Sequence, residues 1–273
     1  MQQIEELFNE FEKKLLEISL YASFITEESI KKYKEYLEKF SEFDFSKNNI
    51  LDNNNIVGKR LVYFDILNKH EKILSDSKIE KNADELLENA EYHKNKQLQW
   101  LFVEAYELFE KYLDNLYTLI GNLANLDDFK KVFENKDKIY KIIEIFNKRF
   151  NLKQYDDIDI PFHNYSFLIN LLSKFRNAIV HHNGFIDKKM LSAEVMKNCG
   201  LNGSVKIKKH EAVIFSFLGS EEYENMICLT KILKANELIK NLLYTDRDRF
   251  QNIIGILISY IKLITDLSKN NKL

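Results

Sequence analysis

Proline and glycine are scarce in this chain, which has 1 proline and 7 glycines among 273 residues. These two residues form most of the tight turns that connect strands, so their scarcity argues against a fold built mainly of β-sheet. The abundant lysine, glutamate, leucine and isoleucine favour helices wherever the apolar spacing agrees. The composition therefore predicts a mainly α-helical protein.

Cysteine is also rare, and the 2 cysteines show no spacing typical of a metal site. Cys199 and Cys228 are interpreted as reduced thiols. The acidic residues before the only proline and the histidine just after it fit no established ligand pattern either (Asp156, Asp157, Asp159, His163). We therefore expect neither a metal nor a cofactor.

Long hydrophobic runs are missing. The longest, Ile253 to Ile261, is much shorter than the roughly 20 residues that a membrane-spanning helix needs. The N-terminal residues show no signal-peptide pattern. We expect a cytoplasmic protein with no membrane partner.

A strong charge of one sign is missing too, since the net charge is −2. Such a balance excludes a uniformly basic nucleic-acid binder. The segment from Lys174 to His210 is nevertheless basic. It contains eight Lys and Arg residues but only two acidic residues, Asp187 and Glu194, which is an excess of six positive charges. This local excess fits either contacts with a polyanion or an ordinary lysine-rich surface.

Apolar residues recur at steps of three and four, which is typical of amphipathic helices. One stripe runs through the first forty residues, and another through residues 84–122. We expect residues 1–80 to form an N-terminal helical extension and residues 81–273 to form a helical domain. Alternating β-branched residues predict a small β-hairpin near residues 204–217.

Residues 174–184 place titratable side chains at the end of a helix. That helix is predicted to begin near Asn164 or Ser166 and to end at Asn183-Gly184, because both residues tolerate the left-handed conformation. Its buried face is predicted from four apolar positions (Leu168, Leu172, Phe175, Ile179).

Arg176, Asn177 and His181 lie on the last two turns of this helix. Asn177 and His181 are one turn apart, so the amide is placed to orient the imidazole. His181 is about 140° round the helix from Arg176, so the two side chains diverge on a single straight helix. They would converge if the helix loosens at its end or if a second copy packs against it.

The pattern Arg176-Asn177-x-x-x-His181 at the end of a helix resembles the Arg-x(4–6)-His signature of HEPN domains. The aromatic and acidic helical segment from Trp100 to Leu113 and the Gly-Phe-Ile-Asp tail after the histidines are similar to that family as well. The resemblance covers about residues 85–270 and implies a HEPN-like helical bundle.

The resemblance implies a metal-independent endoribonuclease that acts as a homodimer. The ribose 2′-hydroxyl would attack the neighbouring phosphodiester and leave a 2′,3′-cyclic phosphate and a 5′-hydroxyl. It implies catalytic roles for Arg176, Asn177 and His181, with His182 as an alternative catalytic histidine or as a substrate contact. Further candidate RNA contacts are basic residues nearby (Lys174, Lys188, Lys189, Lys206, Lys208). Glu107 or Glu110 is a candidate to support Arg176.

The family also implies a setting in antiphage defence or in a toxin–antitoxin pair, with an antitoxin or a sensor as a partner. Two alternatives stay open on the sequence. One is a non-catalytic HEPN module that binds RNA or a nucleotide. The other is a helical interaction protein, in which the arginine and histidines only stabilise the end of a helix through its dipole.

Overall fold

The computed structural model describes residues 2–42, 61–65, 69–74, 83–124, 138–219, 225–230 and 249–270. These ranges are mainly helical, as the composition predicts. The helices are α1 (Gln2–Glu42), α2 (Ala83–Ala124), α3 (Lys138–Arg149), α4 (Tyr165–His182), α5 (Lys188–Asn198), α6 (Ser204–Ser216) and α7 (Arg249–Asn270). Two strands, β1 (Leu61–Asp65) and β2 (His70–Leu74), and short 3-10 helices at Leu152–Tyr155 and Pro161–His163 complete the described elements.

The chain divides into two compact units. One unit contains Met1–Ser23 and Asn95–Leu273, and the other contains Phe24–Lys94. The first residues of α1 belong to the larger unit.

The N-terminal part of α1 packs into the core of the larger unit. Its predicted apolar stripe is buried, with Leu15 fully inaccessible to solvent. The rings of Phe11 and Tyr112 lie 5.1 Å apart, which joins α1 to α2. Ser19 donates a hydrogen bond of 2.9 Å to Gln251 and thereby connects α1 to α7.

Helices α2 and α7 supply much of the same core. Phe109 of α2 packs on Tyr260 of α7, and the hydroxyls of Tyr112 and Thr265 lie 2.5 Å apart. Among the described residues, α7 is the one helix whose length and apolar composition would suffice to cross a membrane. Ten of its side chains are buried within the protein, as in the core helix of a globular unit (Phe250, Ile253, Ile254, Ile256, Leu257, Tyr260, Ile261, Ile264, Thr265, Ser268).

The β-hairpin predicted at residues 204–217 is wrong, because this segment forms the helix α6. The β-branched residues suggested a strand, but the buried positions follow the period of a helix. His210, Val213, Ile214 and Phe217, at steps of three and four, are all buried. Burial of this face outweighs the local β preference.

The smaller unit contains the antiparallel hairpin of the described residues, within a region expected to be helical. Leu61 pairs with Leu74 and Asp65 pairs with His70. Lys69, with φ of 54°, lies just before β2. The aromatic and β-branched run of β1 explains this outcome, because such residues favour strands.

His210 connects α6 to the start of α4. Its Nδ1 lies 2.8 Å from the carbonyl oxygen of Lys206, so Nδ1 carries a proton, and Nε2 can then accept from the Asn164 amide at 3.4 Å. Asn164 also caps α4 by accepting a hydrogen bond from the backbone N–H of Phe167. Burial lowers the pKa of His210, and the folded structure therefore favours the neutral ring.

This buried neutral histidine predicts a loss of stability in mild acid. The unfolded chain takes up the proton more readily than the folded one, so the contribution is present above the ordinary histidine pKa and is lost as the pH falls. Between about pH 7.5 and pH 5.5, on either side of that ordinary value, the free energy of unfolding should fall. Urea titration of the wild type and of His210→Gln should show a smaller fall in the variant.

The matched control is His163→Gln, which removes an exposed histidine. It should keep the pH dependence of the wild type. An equal fall in the His210→Gln and wild-type proteins would contradict the role given to His210.

Candidate functional site

Helix α4 begins and ends where the sequence predicts. Asn164 is its N-cap, and Asn183 at its C-terminal end is left-handed with φ of 53°. The backbone N–H of Gly184, which has φ of +80°, donates to the carbonyl of Ala178 at 3.0 Å. The last turn of α4, which carries both histidines, is therefore closed by a defined hydrogen-bonded stop.

Arg176 is turned toward α2, where it pairs with the carboxylate of Glu107 and acts electrostatically on that of Glu110. Its Nη2 lies 3.7 Å from Oε1 of Glu107, and the arginine side chain is 26% exposed. Burial raises the pKa of Glu110, and the charge of Arg176 opposes this rise while that of Glu107 adds to it. The prediction that an acidic residue of this helix supports Arg176 is confirmed for Glu107.

A set of hydroxyl groups lies next to this ion pair. The hydroxyls of Tyr140 in α3 and Ser173 in α4 lie 2.9 Å apart. Burial raises the pKa of Tyr106, and a hydrogen bond with Ser173 opposes that rise. Tyr106 is therefore a neutral hydrogen-bonding group near neutral pH, and the contact between Tyr140 and Ser173 joins α3 to α4.

Asn177, His181 and His182 are exposed on the last two turns of α4. Nη1 of Arg176 donates to Oδ1 of Asn177 at 3.3 Å, so the amide extends from the arginine toward the exposed face. Within the described part of the chain, no hydrogen bond joins Asn177 to His181. The structure thus brings Arg176 and Asn177 together but leaves His181 separate.

The candidate RNA-binding lysines do not form one group. Lys174 pairs with Glu194, and Lys206 lies 3.2 Å from Asp159. Nζ of Lys188 lies 4.3 Å from the centre of the Phe215 ring. Lys189 and Lys208 are exposed. Three of the five lysines therefore already contact other side chains.

Three polar residues of α2 contact the turn that follows α4 or Ile227, whose backbone N–H donates to the carbonyl of Gly184 in that turn at 2.8 Å. The sequence reasoning missed them. Lys96 donates to the carbonyl oxygen of Asn183 and, at 3.0 Å, to its Oδ1. Gln99 and Asn95 donate to the carbonyl of Ile227 at 2.6 and 2.9 Å. We call Asn95, Lys96 and Gln99 the α2 clasp.

The sequence contains a weak indication of the α2 clasp, namely polar residues on the apolar face of a helix. Asn95 and Gln99 continue the apolar face of α2 and are buried there, at 2% and 1% exposure. Polar residues on a buried face need hydrogen-bond partners, so their positions signal a contact with irregular backbone. Their partners lie far along the chain and are not specified by local spacing.

Across the described residues, no group of three or more histidine, cysteine, aspartate or glutamate side chains is arranged to hold a metal ion. Comparisons of the chain with models of protein families, with curated proteins and with solved structures find no match.

The contact between Gly184 and the α2 clasp predicts an unequal effect of two alanine substitutions. A Cβ at Gly184 would lie 2.6 Å from Nε2 of Gln99, which is held by its hydrogen bond to Ile227. Gly184→Ala should therefore cost about 1–3 kcal/mol more than backbone strain alone, because a buried hydrogen bond is lost. Chemical unfolding measures this cost.

Gly200→Ala is the matched control, because Gly200 also has a positive φ (+63°) but nothing lies within 4 Å of a Cβ there. Gly200→Ala adds the strain of an alanine at positive φ, but its Cβ meets no neighbouring atom. Equal losses in the two variants would mean that the α2 clasp does not hold this turn.

Proposed function

We propose that this protein is a HEPN-type endoribonuclease that cleaves RNA without a metal ion and works as a homodimer. The observation that carries the proposal is the arrangement of Arg176, Asn177 and His181. A partly exposed guanidinium donates to an exposed amide, and an exposed imidazole follows one turn later at the closed end of the same helix.

The proposed chemistry needs a proton acceptor, a proton donor and a cation at the phosphate. His181 would remove the proton from the ribose 2′-hydroxyl as its oxygen bonds to phosphorus. The bond from phosphorus to the 5′-oxygen breaks, and a protonated imidazole gives that oxygen its proton. Arg176 would stabilise the negative charge that builds on the phosphate oxygens.

The assigned roles of Arg176 and His181 fit two copies of the chain better than one. Along α4, Arg176 and His181 are separated by a rise of about 7.5 Å and a rotation of about 140°. Arg176 is directed toward α2, whereas His181 faces solvent. Two copies of α4 related by a two-fold axis would bring the arginine of one copy near the histidine of the other.

The proposal includes RNA as substrate and His182 as a further contact or as the alternative catalytic histidine. Lys189 and Lys208, both exposed, are the proposed lysine contacts with the RNA backbone. Lys174, Lys188 and Lys206 would have to leave their present contacts to take part.

The proposed setting is antiphage defence or a toxin–antitoxin pair in the cytoplasm, where an antitoxin or a sensor restrains the enzyme. The regulatory contact with that partner is assigned to residues 1–80.

One observation favours the non-catalytic alternatives. Arg176 lies beside two carboxylates, those of Glu107 and Glu110, so part of its charge is already balanced within the fold. A structural cation that joins α4 to α2 would have the same contacts. In that case, the function of this surface is to bind RNA or another protein without catalysis.

The deciding experiment incubates purified protein with end-labelled RNA in the presence of EDTA. The wild type should cleave it and leave 2′,3′-cyclic phosphate and 5′-hydroxyl ends. His181→Ala and Arg176→Lys should each slow cleavage by about 10²- to 10⁴-fold, because a proton-transfer group or a bidentate donor is lost. Specific activity should also fall on dilution as the dimer dissociates.

His163→Ala is the matched control, since it removes an exposed histidine outside the motif. Its activity should equal that of the wild type, and thermal unfolding should show that all variants remain folded. Cleavage that depends on added metal, or products that end in a 3′-hydroxyl, would refute the proposed chemistry. Full activity in both motif variants would favour a structural role for Arg176.

A further inference from the structure

Trp100 is the only tryptophan of the chain, and it lies on the protein surface. Its side chain belongs to α2 and is 59% exposed. Most large aromatic side chains of this helix are buried, including Phe102, Tyr106 and Phe109. An indole left in water forgoes a large gain in free energy from burial, so its position needs an explanation other than packing.

The position of Trp100 follows from contacts on either side of it along α2. Lys96 contacts Asn183 just beyond the C-terminal end of α4, and Glu107 contacts Arg176 within that helix. On α2, these two residues and Trp100 lie within about 40° of one another. Trp100 therefore lies between the two contacts, alongside the stretch of α4 that carries the motif.

Phe185 adds a second exposed ring at the end of α4. It follows the closing turn by one residue and is 41% exposed. Nζ of Lys96 lies 5.6 Å from the centre of this ring, and Lys96 is one helical turn from Trp100. The surface thus combines two exposed aromatic rings with an ammonium group, and we call Lys96, Trp100 and Phe185 the aromatic patch.

We propose that the aromatic patch binds unpaired bases of single-stranded RNA beside the motif helix. Exposed aromatic rings stack on bases, and an adjacent cation attracts the phosphate backbone. Exposed rings also occur at protein interfaces, but an ammonium group 5.6 Å from the Phe185 ring and one helical turn from Trp100 favours an anionic partner. The inference rests on the proposed function, and it names the part of the RNA that this site holds.

A single tryptophan allows a direct test, because all indole fluorescence of the protein comes from Trp100. The probe is a single-stranded 2′-O-methyl oligoribonucleotide, which lacks the attacking hydroxyl and therefore reports binding without cleavage. Its addition should quench the emission of Trp100 and saturate. The same sequence as a duplex, or inorganic polyphosphate without bases, should quench far less.

Substitutions separate ring stacking from attraction by charge. Trp100→Leu and Phe185→Leu should each weaken binding of the labelled single strand by about tenfold, measured by fluorescence anisotropy, since one stacked base is lost. Trp100→Phe should restore much of the affinity, because a ring remains. Tyr155→Leu removes a ring that is also 41% exposed, near the opposite end of α4, and should bind as the wild type does.

The outcomes distinguish this inference from the proposed nuclease activity. Quenching by the single strand without cleavage of ordinary RNA would support the aromatic patch and refute the nuclease. Cleavage without quenching would support the nuclease and refute the patch. Equal quenching by duplex or polyphosphate would overturn the inference. Emission that changes on dilution without RNA would overturn it too, since Trp100 would then lie between protein copies.

Discussion

The contact between α2 and α4 is the constraint on which the candidate site depends. At one end, Lys96 and Gln99 hold the turn that closes α4, and at the other Glu107 faces Arg176. These contacts determine which side of α4 is turned to the core and which side to solvent. The side of α4 that carries Arg176 contacts α2, whereas the side that carries His181 is exposed. A single helix thus serves the core and the proposed chemistry with different faces.

The charge balance around Arg176 is compatible with both structure and catalysis. A guanidinium has five N–H donors, and the described contacts of Arg176 use only those to Glu107 and Asn177. Its Nε is buried without a partner among the described residues. Burial raises the pKa of Glu110, and the charge of Arg176 opposes that rise. In the proposed function, a phosphate would use the guanidinium donors that these contacts leave.

Local spacing predicted the elements whose burial has a clear period. The N-terminal stripe, the long α2 and the bounds of α4 follow from apolar steps and from Asn164 and Asn183 at its ends. The same reasoning failed for residues 204–217, where β-branched residues lie on a helix whose buried face includes His210, packed on the ring of Phe167. The α2 clasp was beyond prediction, because its partners are more than eighty residues away along the chain.

The exposure of His181 has a consequence for any catalysis at this site. Proton transfer by a histidine is most effective when the reacting groups are held in place and water is kept out. In a single chain His181 and Asn177 face solvent, so something else must cover them. A second α4 would supply an opposing arginine, and an RNA strand bound by stacking would shield the reacting linkage. The second α4 and the RNA strand would both contact the same exposed end of α4. A dimer and a bound strand would therefore complete the site together, each supplying groups that a single chain lacks.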